Sequence, residues 1–125
     1  MEKIIFIALG GAVGALCRVY IGEAILRKYG GFLPYGTIFV NLLGSLLIGI
    51  CLGFYMLRPD LPEWAKFLLV AGGLGAFTTF STFAYELLQL VVGGQYGDAF
   101  IYGGSQLVGG LLLCWLGIII ARALS

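Results

Sequence analysis

Residues 72–86 read GGLGAFTTFSTFAYE, and the stretch lies in the interior of an otherwise strongly apolar chain. Four hydroxyl residues, Thr78, Thr79, Ser81 and Thr82, are interleaved with Phe77, Phe80 and Phe83, and the carboxylate of Glu86 closes the run. A span that only had to cross hydrocarbon would need none of these polar groups. Hydroxyls in a membrane helix commonly bond carbonyls one turn back. Four of them behind a glycine run ask for more, because glycine, threonine and aromatics are poor helix formers. The window 72–79 is therefore where a helix is expected to break. Irregular backbone at membrane depth survives only when buried in protein or lining a wet cavity. Carbonyls freed at such a break suit a hard cation, while half-helix N-termini attract anions.

The rest of the chain supplies the lipid setting. Of 125 residues, 61% are hydrophobic and only 10% charged, against about 25% charged in an ordinary soluble domain. The 21 glycines suit membrane helices, whose backbones approach closely at small residues. A net charge of +1 lacks the clustered basic face of a nucleic-acid binder. With no histidine, the commonest general base and metal ligand is missing. Neither a nucleophile–base spacing nor a nucleotide-binding pattern occurs, so an enzyme is not expected. Cys17, Cys51 and Cys114 sit alone in apolar runs and read as small hydrophobes. The N-terminal MEKIIFIALGGAVGALC imitates a secretory signal, but its apolar run continues and three more follow, so it reads as a retained helix.

A crossing helix needs about 20 mostly apolar residues. The expected spans within one transmembrane domain, 1–125, are about 4–26, 37–57, 64–92 and 98–123, an all-α membrane fold. GGFLPYG (30–36), RPDLP (58–62) and GGQYGD (93–98) form the short connections. Gly10 with Gly14, Gly49 with Gly53, and the heptad series Gly103, Gly110, Gly117 mark packing faces. Trp64, Trp115 and most tyrosines read as interfacial belts. Four Lys/Arg (Lys3, Arg58, Lys66, Arg122) lie on the side of the termini and three (Arg18, Arg27, Lys28) on the other. So little bias fits insertion in both orientations and pairing of two opposed copies as an antiparallel homodimer.

Asn41, in GTIFVNLLGS, either bridges two helices or donates to a passing ligand; Ser45 lies one turn away on the same face. Phenyl ring edges carry partial positive charge. Hydroxyls, an amide and ring edges without a fixed cation would suit a small, charge-dense anion that must not be held too tightly. Arg18, about 21 Å along the helix from Ile4, reads as an interfacial anchor or as an electropositive vestibule. Glu86 is a suspect as an intramembrane carboxylate, pairing with Arg18 or a backbone donor. Tyr102 and Ser105 begin the fourth span as lining or packing groups.

Together GGAVGALCR (10–18), GTIFVNLLGS (36–45) and GLGAFTTFSTFAYE (73–86) resemble the Fluc/CrcB family of small bacterial fluoride channels, in the family's order and over essentially all four spans. The resemblance implies a dual-topology antiparallel homodimer in the cell membrane. Its two anion pathways would let fluoride leave passively and lower cytoplasmic fluoride. Phe80 and Phe83 match the phenylalanines that meet the anion edge-on, Asn41 the pore asparagine, and Ser81 and Thr82 the polar track; Thr79, Tyr102 and Ser105 join the expected anion pathway on the reading of the residues alone. A central sodium ion would be held by the backbone carbonyls of Gly75 and Thr78. Gly110 and Cys114 stand where some members carry hydroxyls, and Ala76 where glycine is frequent. The rival reading is a small multidrug-type, proton-coupled transporter, which needs an ionisable residue in mid-membrane. The middle of the first span is GGAVGAL, so Glu86 would have to serve. A structural subunit would explain the glycines but not TTFSTF.

Overall fold

The structure is a computed structural model that describes residues 2–30 and 33–125, so Gly31 and Phe32 of the first turn lie outside the described residues. Every regular element among the described residues is helical: α1 (Glu2–Tyr29), α2 (Tyr35–Leu57), a composite third span (Glu63–Val92) and α6 (Tyr96–Leu124). All four spans are long and apolar enough to cross a membrane.

The third span is built from pieces. α3 (Glu63–Lys66) runs into a π-helical stretch, Phe67–Leu74, then α4 (Gly75–Phe77), and after an interruption α5 (Phe80–Val92). π-Helix usually occurs as a single bulge; here it extends over FLLVAGGL. The packing supplies a reason. A Cβ on Gly10 or Gly14 of α1 would run into the carbonyl oxygens of Leu68 and Gly73, and one on Gly72 would meet the Ile7 carbonyl. The two backbones therefore touch directly, and the wide turns fall where α1 presses against them. The glycine pair Gly72-Gly73 stays helical. The chain turns extended only at Thr78 (φ −88°, ψ 159°) and Thr79 (φ −146°, ψ 121°), at the far end of the expected window.

A second close contact joins α2 to α6. Cβ atoms on Gly49, Gly53 and Gly117 would collide with the Cys114 carbonyl, the Ala121 methyl and the Leu46 carbonyl, respectively. Such small-residue seams replace the hydrophobic drive that lipid cannot supply. Gly103 instead faces Leu87, and Gly110 faces the Ser45 hydroxyl. Leu90, Ala99 and Tyr102 form a buried cluster packed by Leu33, Ile38, Phe83 and Leu87. The turn into α6 uses the left-handed conformation of Gly94 (φ 77°), and the Gln95 N–H closes back onto the Leu90 carbonyl at 2.9 Å. At one end of the bundle, Trp64 stacks on Phe6 at 5.4 Å and Lys3 lies over the Phe67 ring at 5.0 Å. This pairing of aromatic and basic groups suits a membrane–water boundary.

Candidate anion site at the helix interruption

Breaking a helix strands backbone groups that lipid cannot satisfy, so the interruption is a question of where each bond goes. In an unbroken helix the Thr79 N–H would bond the Gly75 carbonyl and the Thr82 N–H the Thr78 carbonyl. Neither does. The Thr79 N–H donates to Asn41 Oδ1 at 2.8 Å, and the Thr82 N–H donates to the Thr79 hydroxyl at 3.2 Å, capping α5. The carbonyls of Gly75 and Thr78 thereby lose their helical donors, and Gly75 is exposed on the surface of the protomer. The Thr78 hydroxyl bonds back to the Leu74 carbonyl at 3.1 Å.

Asn41 holds the break from α2. Besides accepting from the Thr79 N–H, its Nδ2 donates to the Thr79 carbonyl at 3.1 Å and to Gln106 Oε1 at 2.6 Å. One carboxamide thus occupies both backbone groups of a single residue, as a neighbouring strand would. From α1, Arg18 Nε donates to the Ala76 carbonyl at 3.0 Å. Arg18 is half-buried.

Two hollows flank the interruption, and Thr79 lines both. The larger is an open groove of about 400 Å³ lined by Asn41, Ser45, Thr78, Thr79, Phe80, Phe83 and Gln106, among others, with no charged side chain. Phe80 and Phe83 stand 5.9 Å apart and tilted by 58°, and Phe83 meets Tyr102 at 5.4 Å. Phe80 is 77% exposed. The smaller hollow, about 180 Å³, gathers Arg18, Glu23, Thr37, Thr79, Thr82 and Glu86. Arg18 and Glu86 share this hollow but bond other partners. Glu86 Oε1 accepts from the Thr37 hydroxyl at 2.6 Å and from the Tyr102 hydroxyl at 2.7 Å.

The structure brings Asn41, Thr79, Phe80 and Phe83 to one groove and Thr82 to the hollow behind it. Ser81 is exposed on α5 and lines neither hollow. Tyr102 is fully buried beneath Phe83, serving Glu86 rather than an open wall, and the Ser105 hydroxyl turns back to the Tyr102 carbonyl at 3.1 Å. Sequence reading missed Gln106 and Thr37, the two buried polar residues that complete the network. Gln106 carried a legible signal: it stands one turn beyond Tyr102 and next to Ser105, where the apolar run of the helix begins. Thr37, at the start of α2, carried none.

A family model described as CrcB-like protein, Camphor Resistance (CrcB), matches residues 5–118. The chain is 40% identical over 124 residues to the fluoride-specific ion channel FluC of Geobacter sp. (strain M21), covering 99% of this chain and 100% of that one. It is 43% identical over 121 residues to that of Acidobacterium capsulatum, covering 96% of each. Against that of a Thermus thermophilus strain the identity is 43% over 124 residues, covering 99% and 98%. Four apolar spans, an interrupted third helix and full-length identity at this level have one meaning: the chain is a multi-pass membrane protein and belongs to the CrcB-like family.

Proposed function

We propose that this protein is a fluoride-selective channel that lets fluoride leave the cell passively and lowers its cytoplasmic concentration. The observation that carries the reading is the uncharged groove at the break, where hydroxyls, carboxamides and the Phe80–Phe83 pair converge. Donors without a fixed cation reward dehydration of a small, hard anion yet release it quickly, which conduction requires. Full-length relatives carrying the name fluoride-specific ion channel support the same reading.

The working unit is proposed to be an antiparallel homodimer of oppositely inserted copies in the cell membrane. Phe80, 77% exposed beside polar groups, then meets the second copy and closes the groove into a pathway. The nearly equal basic charge at the two ends of the bundle agrees with insertion in both senses. A sodium ion on the dimer axis is proposed to bind the carbonyl oxygens of Gly75 and Thr78. The donor set fits, because both carbonyls have lost their helical N–H partners to Asn41 and Thr79 and hard cations take oxygen ligands. When bound, the ion supplies positive charge that ties the two breaks together.

Within the pathway each side chain has a task. Asn41 fixes the break and orients Gln106; Phe80 and Phe83 offer ring edges; Thr79 joins the two hollows and Thr82 lines the smaller one. Ser81, Tyr102 and Ser105 flank this path. The test is fluoride efflux from liposomes read by a fluoride electrode, with chloride as comparison. Rapid fluoride efflux without chloride efflux supports the reading. Silent vesicles that take up an organic cation on a proton gradient would replace it with the transporter reading.

A further inference from the structure

Two side chains from different helices grip the interruption on its two sides, but only the Asn41 grip belongs to the groove. Arg18 reaches across from α1 and commits Nε to the Ala76 carbonyl, between the two carbonyls freed by the break. Among the described residues Nε is the part of the guanidinium with a hydrogen-bond partner, and Arg18 is also one of the residues lining the 180 Å³ hollow. A cation spread over the hollow would be satisfied by many orientations. A single directional bond to one carbonyl of a three-residue helical turn restrains that turn.

We propose that Arg18 is a positioning residue for the cation site: its Nε–H holds the Ala76 carbonyl and so aims the neighbouring Gly75 carbonyl at the ion. The inference rests on the sodium site proposed above. Its content is the bond, not the charge. Ala76 lies in the last turn of the first half of the span, where carbonyls have no further helical donors, and α4 is too short to hold its own orientation. A directional N–H bond from a neighbouring helix does so. Arg18 also sits four residues beyond Gly14, whose backbone lies against the π-helical stretch, so the seam and the clamp set one register between α1 and the third span.

Substitutions separate the bond from the charge. Glutamine carries its amide nitrogen at the fourth side-chain position, where arginine carries Nε; lysine has a methylene there and keeps the charge. Purified full-length protein in detergent is heated in Na⁺ or in N-methyl-D-glucamine, and the Na⁺ concentration giving half of the stabilisation is read for each variant. Wild type and Arg18→Gln are expected to share one midpoint. Arg18→Lys and Arg18→Met are expected to need about tenfold more Na⁺, the equivalent of ~1.4 kcal/mol. If Arg18→Met does not fold, the comparison of Arg18→Lys with Arg18→Gln decides alone. A wild type indifferent to Na⁺ overturns the sodium site and this inference with it. A responsive wild type with Arg18→Lys unchanged, or with Arg18→Gln as impaired as Arg18→Lys, overturns only the role of Arg18.

Discussion

The carboxamide of Asn41 on α2 bonds both the N–H and the carbonyl of Thr79, one of the two residues at which the third span is extended. Each buried backbone group left without a partner costs about 1–3 kcal/mol, so this pairing makes the break tolerable in lipid. Asn41→Leu removes both partners while keeping the same branched heavy-atom skeleton. The expected outcome is a fall in thermal stability together with loss of fluoride efflux. Melting followed in detergent and efflux from liposomes check the two parts.

Phe80 should behave differently. Its ring is 77% exposed on the protomer and holds no helix in place. Phe80→Ile is therefore expected to leave the folded protomer intact, with stability changed by less than about 1 kcal/mol. Fluoride efflux should nonetheless drop by at least about tenfold, as loss of one ring-edge contact of ~1.4 kcal/mol predicts. Efflux and melting curves recorded on one preparation test the separation.

Glu86 distinguishes a channel from a proton-coupled carrier. Its Oε1 accepts hydroxyls from Thr37 and Tyr102, a role that the carbonyl of glutamine can also fill. Glu86→Gln is expected to keep efflux within a few-fold of wild type, because no proton need be exchanged for passive conduction. Glu86→Leu leaves two hydroxyls unpaired and is expected to destabilise the fold by about 1–3 kcal/mol for each. Complete loss of transport in the glutamine variant would favour the carrier.

The α2–α6 seam predicts a sharp positional contrast among glycines. Gly49→Val and Gly117→Leu thrust side chains into the facing backbone, and failure to yield folded protein is the expected result. Around Gly97 there is open space within 4 Å, so Gly97→Ala should be tolerated. Yield of monodisperse protein by size-exclusion chromatography is the readout.

Dual insertion has its own signature. With the native cysteines replaced, a thiol introduced by Asp60→Cys, in the exposed turn before α3, should react with a membrane-impermeant reagent in about half of the molecules in intact cells. That is the even split which an absent positive-inside bias predicts. Labelling of all or none would establish a single orientation.

How much of this was legible beforehand differs by residue. Four spans follow from apolar runs and the prolines and glycines between them, since a bilayer fixes how long a helix must be. Gly10, Gly14, Gly49 and Gly53 announced seams by their spacing alone, and the structure places carbonyls against each helix at those points or, at Gly53, the Ala121 methyl. The break was readable in GGLGAFTTF to within the window 72–79, yet its place inside that window was not. Gly72 and Gly73 had the weakest helix preference, but α1 packs on them and keeps them helical, while Thr78 and Thr79 leave the helix because Asn41 offers replacement bonds.

Composition and spacing along the chain thus determined the lipid setting, the four helices, the packing stripes and the cluster of hydroxyls and phenyl rings. Tertiary structure decided what each polar group does. Asn41 finds Thr79 across 38 residues and Gln106 across 65, Arg18 finds Ala76 across 58, and Thr37 finds Glu86 across 49. Periodicity reports which face of a helix a residue occupies. A hydrogen bond needs the partner within about 3 Å and in line, and where that partner stands is set only when helices close on one another at their glycines.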